Sequence, residues 1–73
     1  MTTSASIHTH SIRLANGEEA LVTRVVADSG KTGFGFSLRL DATESRHMAE
    51  RNAAGAEEAM PPEIRTALGS IHW

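Results

Sequence analysis

The sequence contains no cysteine and no tyrosine, and Phe34, Phe36 and Trp73 are its only aromatic residues. Without thiols, no disulfide can stabilise the fold and no zinc site can be built on thiolates. A chain of 73 residues forms one domain at most and buries only a modest share of its surface, so its stability is marginal. The scarcity of large apolar side chains therefore favours burial of one face against another chain.

The sequence also lacks an excess of positive charge. Lys and Arg number 7 and Asp and Glu number 9, giving a net charge of −2, which is unlike proteins that bind nucleic-acid backbones. No apolar run approaches membrane-spanning length, and the small polar segment 1–6 is unlike a secretory signal. We therefore expect a cytoplasmic protein that binds neither nucleic acid nor membrane, with a flexible N-terminus at residues 1–6.

Patterns between residues 7 and 40 predict a three-stranded antiparallel meander. Two turn signals, Asn16-Gly17 and residues 28–31, separate extended segments at about 7–14, 19–28 and 32–40. Asn-Gly favours a type I′ hairpin turn, in which both residues adopt positive φ. The third segment alternates most regularly, so one of its faces is apolar and the other is open to close approach. The apolar set is Phe34, Phe36, Leu38 and Leu40, and the opposite set is Gly33, Gly35, Ser37 and Arg39.

The period then changes to that of helices. Asp41 is a predicted N-cap, and Glu44 stands three residues later, where its side chain can bond back to the cap. Helices are predicted at about 42–54 and 62–68, with a further helical turn at 56–60. The first helix has small residues on one side, which would let it lie close on the sheet. The sequence therefore predicts one α+β domain over residues 7–73, a three-stranded antiparallel β-meander followed by two or three short helices.

Two phosphate-binding patterns are incomplete. Gly30-Lys31-Thr32 is similar to the end of a P-loop, but Val25 stands where that motif needs glycine. The segment 33–35 could open a dinucleotide-binding fingerprint, but Leu38 stands where its third glycine is needed. No nucleophile-elbow pattern is present either. We therefore predict no catalytic residue and no cofactor.

Histidines and Trp73 are the remaining candidates. His8 and His10 are spaced to share one face of a strand and could bind a metal together with His47 or His72, because neutral imidazole suits zinc, copper or nickel. The simpler interpretation is a polar strand edge. Trp73 is either part of the core or an anchor for a partner, and with Phe34 and Phe36 it forms the predicted interaction surface.

Residues 20–35 resemble a strand–turn–strand signature of the N-terminal capping domain of the enolase superfamily, in the mandelate racemase and muconate lactonizing branch. A valine-rich strand leads through a turn into a Gly-aromatic-Gly strand, and an alanine-rich helix follows at the position of residues 42–54. Phe36 stands where many members have an acidic residue. The (β/α)₈ barrel, which in that family supplies the catalytic bases and the three carboxylates that bind magnesium, has no counterpart here.

The resemblance implies a capping domain without enzymatic activity, acting by self-association as a homodimer or by interaction with a protein partner. A part of a split or truncated enzyme is a variant of this hypothesis. The alternative is a small ligand- or metal-binding module that uses His8, His10 and the Gly33/Gly35 face. A small autonomous enzyme is the third hypothesis, although no base or nucleophile stands beside an orienting group at a recognisable spacing.

Overall fold

The computed structural model describes residues 4–55, 60–71 and 73. Three strands form one antiparallel sheet in the order β1-β2-β3, and two helices follow them in the chain. The elements are β1 Ser4–Arg13, β2 Glu19–Ala27, β3 Thr32–Ser37, α1 Ala42–Ala53 and α2 Pro62–Leu68. The predicted α+β meander is confirmed.

The first hairpin has a three-residue loop. Leu14 N–H donates to the Glu18 carbonyl at 2.7 Å, and Gly17 N–H donates to the Leu14 carbonyl at 2.9 Å. Only Gly17 adopts positive φ in this loop, at 89°, so the predicted type I′ turn at Asn16-Gly17 is wrong. The geometry is that of a type I turn followed by a glycine bulge. The loop between β2 and β3 is built in the same way, with Gly30 at φ 91°.

Helix α1 covers the glycine face of β3. A Cβ atom added at Gly35 would lie 2.1 Å from the Ser45 carbonyl oxygen, and one at Gly33 would lie 2.2 Å from the Ala49 carbonyl oxygen. The helix backbone therefore occupies the space that side chains would fill at these two positions. This close approach agrees with the small residues predicted on one side of the helix.

A chain of three hydroxyl groups joins two strands to α1. The Thr9 and Thr23 hydroxyls lie 3.0 Å apart, and the Thr23 and Ser45 hydroxyls lie 2.7 Å apart. Thr23 and Ser45 are fully buried. Because each buried hydroxyl has a partner, the polar groups beneath the helix are satisfied.

The opposite face of the sheet is covered by α2 and the residues that follow it. Ile64 of α2 is buried and packs with Leu14, Ala20 and Val22. Partly buried side chains surround this cluster: Ile12, Phe36, Met60, Leu68, Ile71 and Trp73. The sheet therefore lies between two separate apolar layers, and the half-buried Phe36 belongs to the layer beneath α2.

Strand β3 ends at Ser37, three residues earlier than predicted. The Ser37 hydroxyl accepts hydrogen bonds from the backbone N–H groups of Arg39, at 3.3 Å, and Asp41, at 3.0 Å. These bonds turn the chain away from the sheet, and Leu40 adopts a φ of 58°. As a result Leu38 and Leu40 are 54% and 48% exposed, and the prediction that they continue the apolar strand face is wrong.

The N-terminus of α1 is capped by Asp41, as predicted. Its carboxylate accepts hydrogen bonds from the backbone N–H groups of Thr43 and Glu44 at 3.0 and 3.1 Å. The predicted return bond from Glu44 to the cap is replaced, because the Asp41 N–H donates to Ser37. The Glu44 carboxylate instead accepts from the Ser37 hydroxyl at 2.7 Å and pairs with Arg39.

Other boundaries differ from the predictions by a few residues. Strand β1 begins at Ser4, within the segment predicted to be flexible, and α1 ends at Ala53, two residues before Gly55 at φ 104°. Helix α2 has the predicted bounds. Residues 56–59 of the predicted additional helical turn lie outside the described residues. None of the helices in the described part of the chain is long and apolar enough to cross a membrane.

Candidate functional site

The register of the sheet brings an arginine, a histidine and a phenylalanine into one row. Arg24 on the central strand β2 is the direct partner of His8 on β1 and of Phe34 on β3. Directly opposed residues point to the same face of a sheet. His10 lies two positions from His8 and shares that face, which is the one covered by α2.

Trp73 contacts two side chains of this row, those of Arg24 and Phe34, and also the His10 side chain. Its ring is 4.9 Å from the His10 ring, nearly perpendicular at 87°, and 5.8 Å from the Phe34 ring, tilted by 50°. The guanidinium carbon of Arg24 lies 5.4 Å from the Trp73 ring centroid. Edge-to-face ring contacts and a cation over an aromatic ring are both attractive. We call His10, Arg24, Phe34 and Trp73 the Trp73 cluster.

Arg24 is the cluster member that sequence reasoning missed. It is half-buried, and its Nε atom is buried without a hydrogen-bond acceptor among the described residues. The sequence signal for Arg24 was a charged residue in the apolar centre of β2, on the face that also carries Val22 and Val26. Such a residue points to a contact, because a buried charge normally has a partner. The contact with Trp73 had no sequence signal, because the path of the last residues follows no period.

The two strand histidines share a face, as predicted, but the structure separates them from the third candidate ligand. His47 lies on α1, which covers the opposite face of the sheet, and His72 lies outside the described residues. Within the ranges that the structure describes, no group of three or more His, Cys, Asp or Glu residues could hold a metal. The metal site at His8 and His10 stays a prediction.

The glycine face is closed to ligands. Gly33 and Gly35 are buried against the α1 backbone, on the side of the sheet opposite His8 and His10. These four residues therefore do not share one site. Of the predicted interaction surface, Phe34 and Trp73 contact each other, and both Phe36 and Trp73 pack in the layer beneath α2.

The outer edge of β1 is the second candidate site. Strand β1 has ten residues and, within the described ranges, is paired on one side only, with β2. Leu14 and Glu18 close the hairpin with a hydrogen bond, and hydrogen-bonded pairs alternate along an antiparallel ladder. It follows that Ile7, Thr9 and Ser11 direct their backbone N–H and C=O groups away from β2, toward the outer edge.

Compared with protein-family models, with curated protein sequences and with solved structures, the chain shows no significant match to any of them.

Proposed function

We propose that this chain is a non-catalytic association module, related to the capping domain of the enolase superfamily, that forms a homodimer by pairing the outer edges of two β1 strands. The observation that carries the proposal is the long unprotected edge of β1. The resemblance of residues 20–35, and of the helix at 42–54, to the capping domain supports it, because such a domain functions by packing against other protein surfaces.

The side chains of β1 do not protect its edge. Natural edge strands avoid association by being short, by carrying proline or lysine, or by bulges that twist the edge away. Strand β1 has no proline, lysine or acidic residue, and its one arginine, Arg13, lies at its end. Its one irregularity lies between Ser4 and Ser6. The stretch from Ile7 to Ile12 is therefore a regular template for another strand.

The surface beside this edge is also uncovered. On the α1 side of the sheet, Thr9 and Ser11 are exposed and Ile7 is 42% exposed, because α1 packs mainly on β2 and β3. A second copy that pairs with β1 would bring its own Ile7 side chain to the same face, since paired strands share their faces. The contact would thus bury apolar surface as well as backbone hydrogen bonds.

Pairing of two identical edges has simple symmetry. Two antiparallel β1 strands are related by a twofold axis, the commonest symmetry of soluble homo-oligomers. The result would be a continuous six-stranded sheet with two copies of α1 on one face. The net charge of −2 per chain produces little repulsion between copies.

Sedimentation velocity over micromolar concentrations tests the proposal on the full chain. We expect the wild-type protein to be dimeric and the variants Ile7→Lys and Ser11→Pro to be monomeric. The lysine places a charge beside the edge, and the proline removes a backbone N–H that points away from β2, so the β1–β2 ladder remains intact.

Leu38→Lys is the matched control, because Leu38 is an exposed leucine in the turn after β3. This variant should remain dimeric. A wild-type chain that stays monomeric and folded, or loss of the dimer in Leu38→Lys but not in Ile7→Lys, would contradict pairing through β1.

A further inference from the structure

We propose that Arg24 is the centre of a binding site for an organic carboxylate, and that the aromatic rings of the Trp73 cluster favour a carboxylate with a planar apolar body. This inference does not depend on dimerisation, because Arg24 lies on the central strand and not on the β1 edge.

Arg24 is a cation that has no anionic partner among the described residues. It has strand neighbours on both sides and the Trp73 ring against its guanidinium group. No ion pair or hydrogen bond joins it to another described residue, and its Nε is the one buried side-chain nitrogen or oxygen among them that lacks a partner. A half-buried guanidinium that no described residue pairs with is prepared to pair with an external anion.

The strand positions that share the face of Arg24 carry no carboxylate, although the chain has nine Asp and Glu residues. His8 is directly opposite Arg24 on β1, and His10 lies in the Trp73 cluster. Glu19 pairs with Arg13, and Glu63 of α2 lines a cleft together with Ile12 and Arg13, well along the strand from Arg24.

The geometry of the groups selects the class of anion. Guanidinium is planar and binds carboxylate through two parallel hydrogen bonds. The ring centroids of Trp73 and Phe34 are 5.8 Å apart. An anion held by Arg24 therefore lies next to aromatic surface that can contact a planar apolar group. We therefore expect benzoate to bind more tightly than acetate, and neutral benzyl alcohol not to bind measurably at the same concentrations.

The test is a titration of the ¹⁵N-labelled full chain with benzoate at constant ionic strength, followed by NMR. The Trp73 indole N–H is a unique reporter, because the chain has one tryptophan, and the Arg24 Nε–H reports the guanidinium group itself. We expect saturable shifts of both signals. Parallel titrations with acetate, benzyl alcohol and inorganic phosphate establish the class of ligand.

Substitutions at Arg24 and at a second arginine test whether binding depends on the Arg24 guanidinium group. Arg24→Gln should abolish the shifts, and Arg24→Lys, which keeps the charge but loses the planar donor pair, should weaken binding about tenfold or more. Arg13→Gln on β1, whose side chain is 73% exposed and pairs with Glu19, is the matched control and should bind like wild type. Dispersed amide spectra verify that each variant is folded.

Any one of four results would overturn the proposal. They are binding of benzoate by Arg24→Gln, binding of benzyl alcohol as tight as that of benzoate, tighter binding of phosphate than of benzoate, and the absence of a saturable shift in the wild type. The titration is repeated on Ile7→Lys, where an unchanged affinity is expected. Since that variant is designed to be monomeric, binding there shows that the carboxylate site and the β1 interface succeed or fail independently.

Discussion

At the scale of single residues, two glycines determine how close α1 can lie to the sheet. Gly33 and Gly35 face the α1 backbone, and the atoms that an added Cβ would meet are mainly backbone atoms of residues 45–53. Backbone atoms of a helix cannot move individually, so a methyl group here would displace the whole helix. The hydroxyl chain from Thr9 to Ser45 depends on the same close approach.

We expect Gly35→Ala to destabilise the fold by about 3 kcal/mol, at the upper end of the usual cost of overpacking a core. The reason is that the new Cβ would lie 2.1 Å from the Ser45 carbonyl oxygen. The measurement is the urea midpoint and the derived free energy of unfolding. Gly69→Ala is the matched control, because its Cβ would meet its nearest atom, the Thr66 carbonyl oxygen, at 3.5 Å. A similar small change in both variants would contradict the close packing of α1.

Alternation along β3 allowed part of this packing to be predicted. The glycines mark an open face, and the helix that follows has small residues, so a close sheet–helix contact could be inferred from sequence alone. Leu38 and Leu40 misled the prediction because they continue the alternation beyond the strand. Side-chain periodicity gives no sign that the Ser37 hydroxyl binds two backbone N–H groups and ends β3.

The Trp73 cluster could be predicted only in part. The faces of β1 and β2 follow from their sequence pattern, and they place His8, His10 and Arg24 together. The position of Trp73 depends on how α2 docks and on a short segment after it that has no period. Contacts of this kind are decided by packing of the whole chain, and a local pattern does not reveal them.

At the scale of elements, the junction between β3 and α1 is held by Glu44. The hydrogen bond from the Ser37 hydroxyl, and then that from Arg39, lower the pKa of the Glu44 carboxyl below its usual 4.5. The folded state therefore keeps this group ionised at pH values at which the unfolded chain has begun to bind a proton. The stabilising contribution is complete above the usual value and is lost as the pH falls through the folded-state pKa.

We expect Glu44→Gln to reduce the stability difference between neutral pH and pH values below 4.5, because the variant has no proton to bind at this site. The measurement is the urea midpoint of wild type and variant as a function of pH. Glu50→Gln, on the exposed side of the same helix, is the control. The same pH dependence in wild type and Glu44→Gln would show that the ionised carboxyl does not hold the junction.

At the scale of the whole molecule, the sheet has an apolar layer on each face. One layer contains Val25, Ala49 and Ala53 beneath α1, and the other centres on Ile64 beneath α2. The first consists of small side chains, so the layer beneath α2 contributes most of the large buried apolar surface. The free energy of unfolding of a 73-residue domain is typically about 4–11 kcal/mol. With so small a margin, the fold needs the packing of both layers.

We expect Ile64→Ala to cost about 2–5 kcal/mol, as other truncations of buried isoleucine and leucine do. The side chain is 1% exposed, and its loss leaves a cavity against Val22. Thermal unfolding followed by Trp73 fluorescence measures the effect, since Trp73 packs in the same layer. Ile7→Ala, at a side chain that is 42% exposed, should change the stability little under conditions in which the chain is monomeric. Equal losses in both variants would contradict the assignment of Ile64 to the core.

The three-residue hairpin loops also affect the order in which the protein assembles. Short loops lose little conformational entropy on closing, and an isolated hairpin forms in about 1–10 μs. The meander and α1 consist of neighbours in sequence, whereas α2 must dock on strands that precede it by more than a third of the chain. In a chain whose meander forms first, the apolar face of the sheet that Ile64 covers stays bare until α2 docks. Aggregation would compete with folding most strongly in that interval.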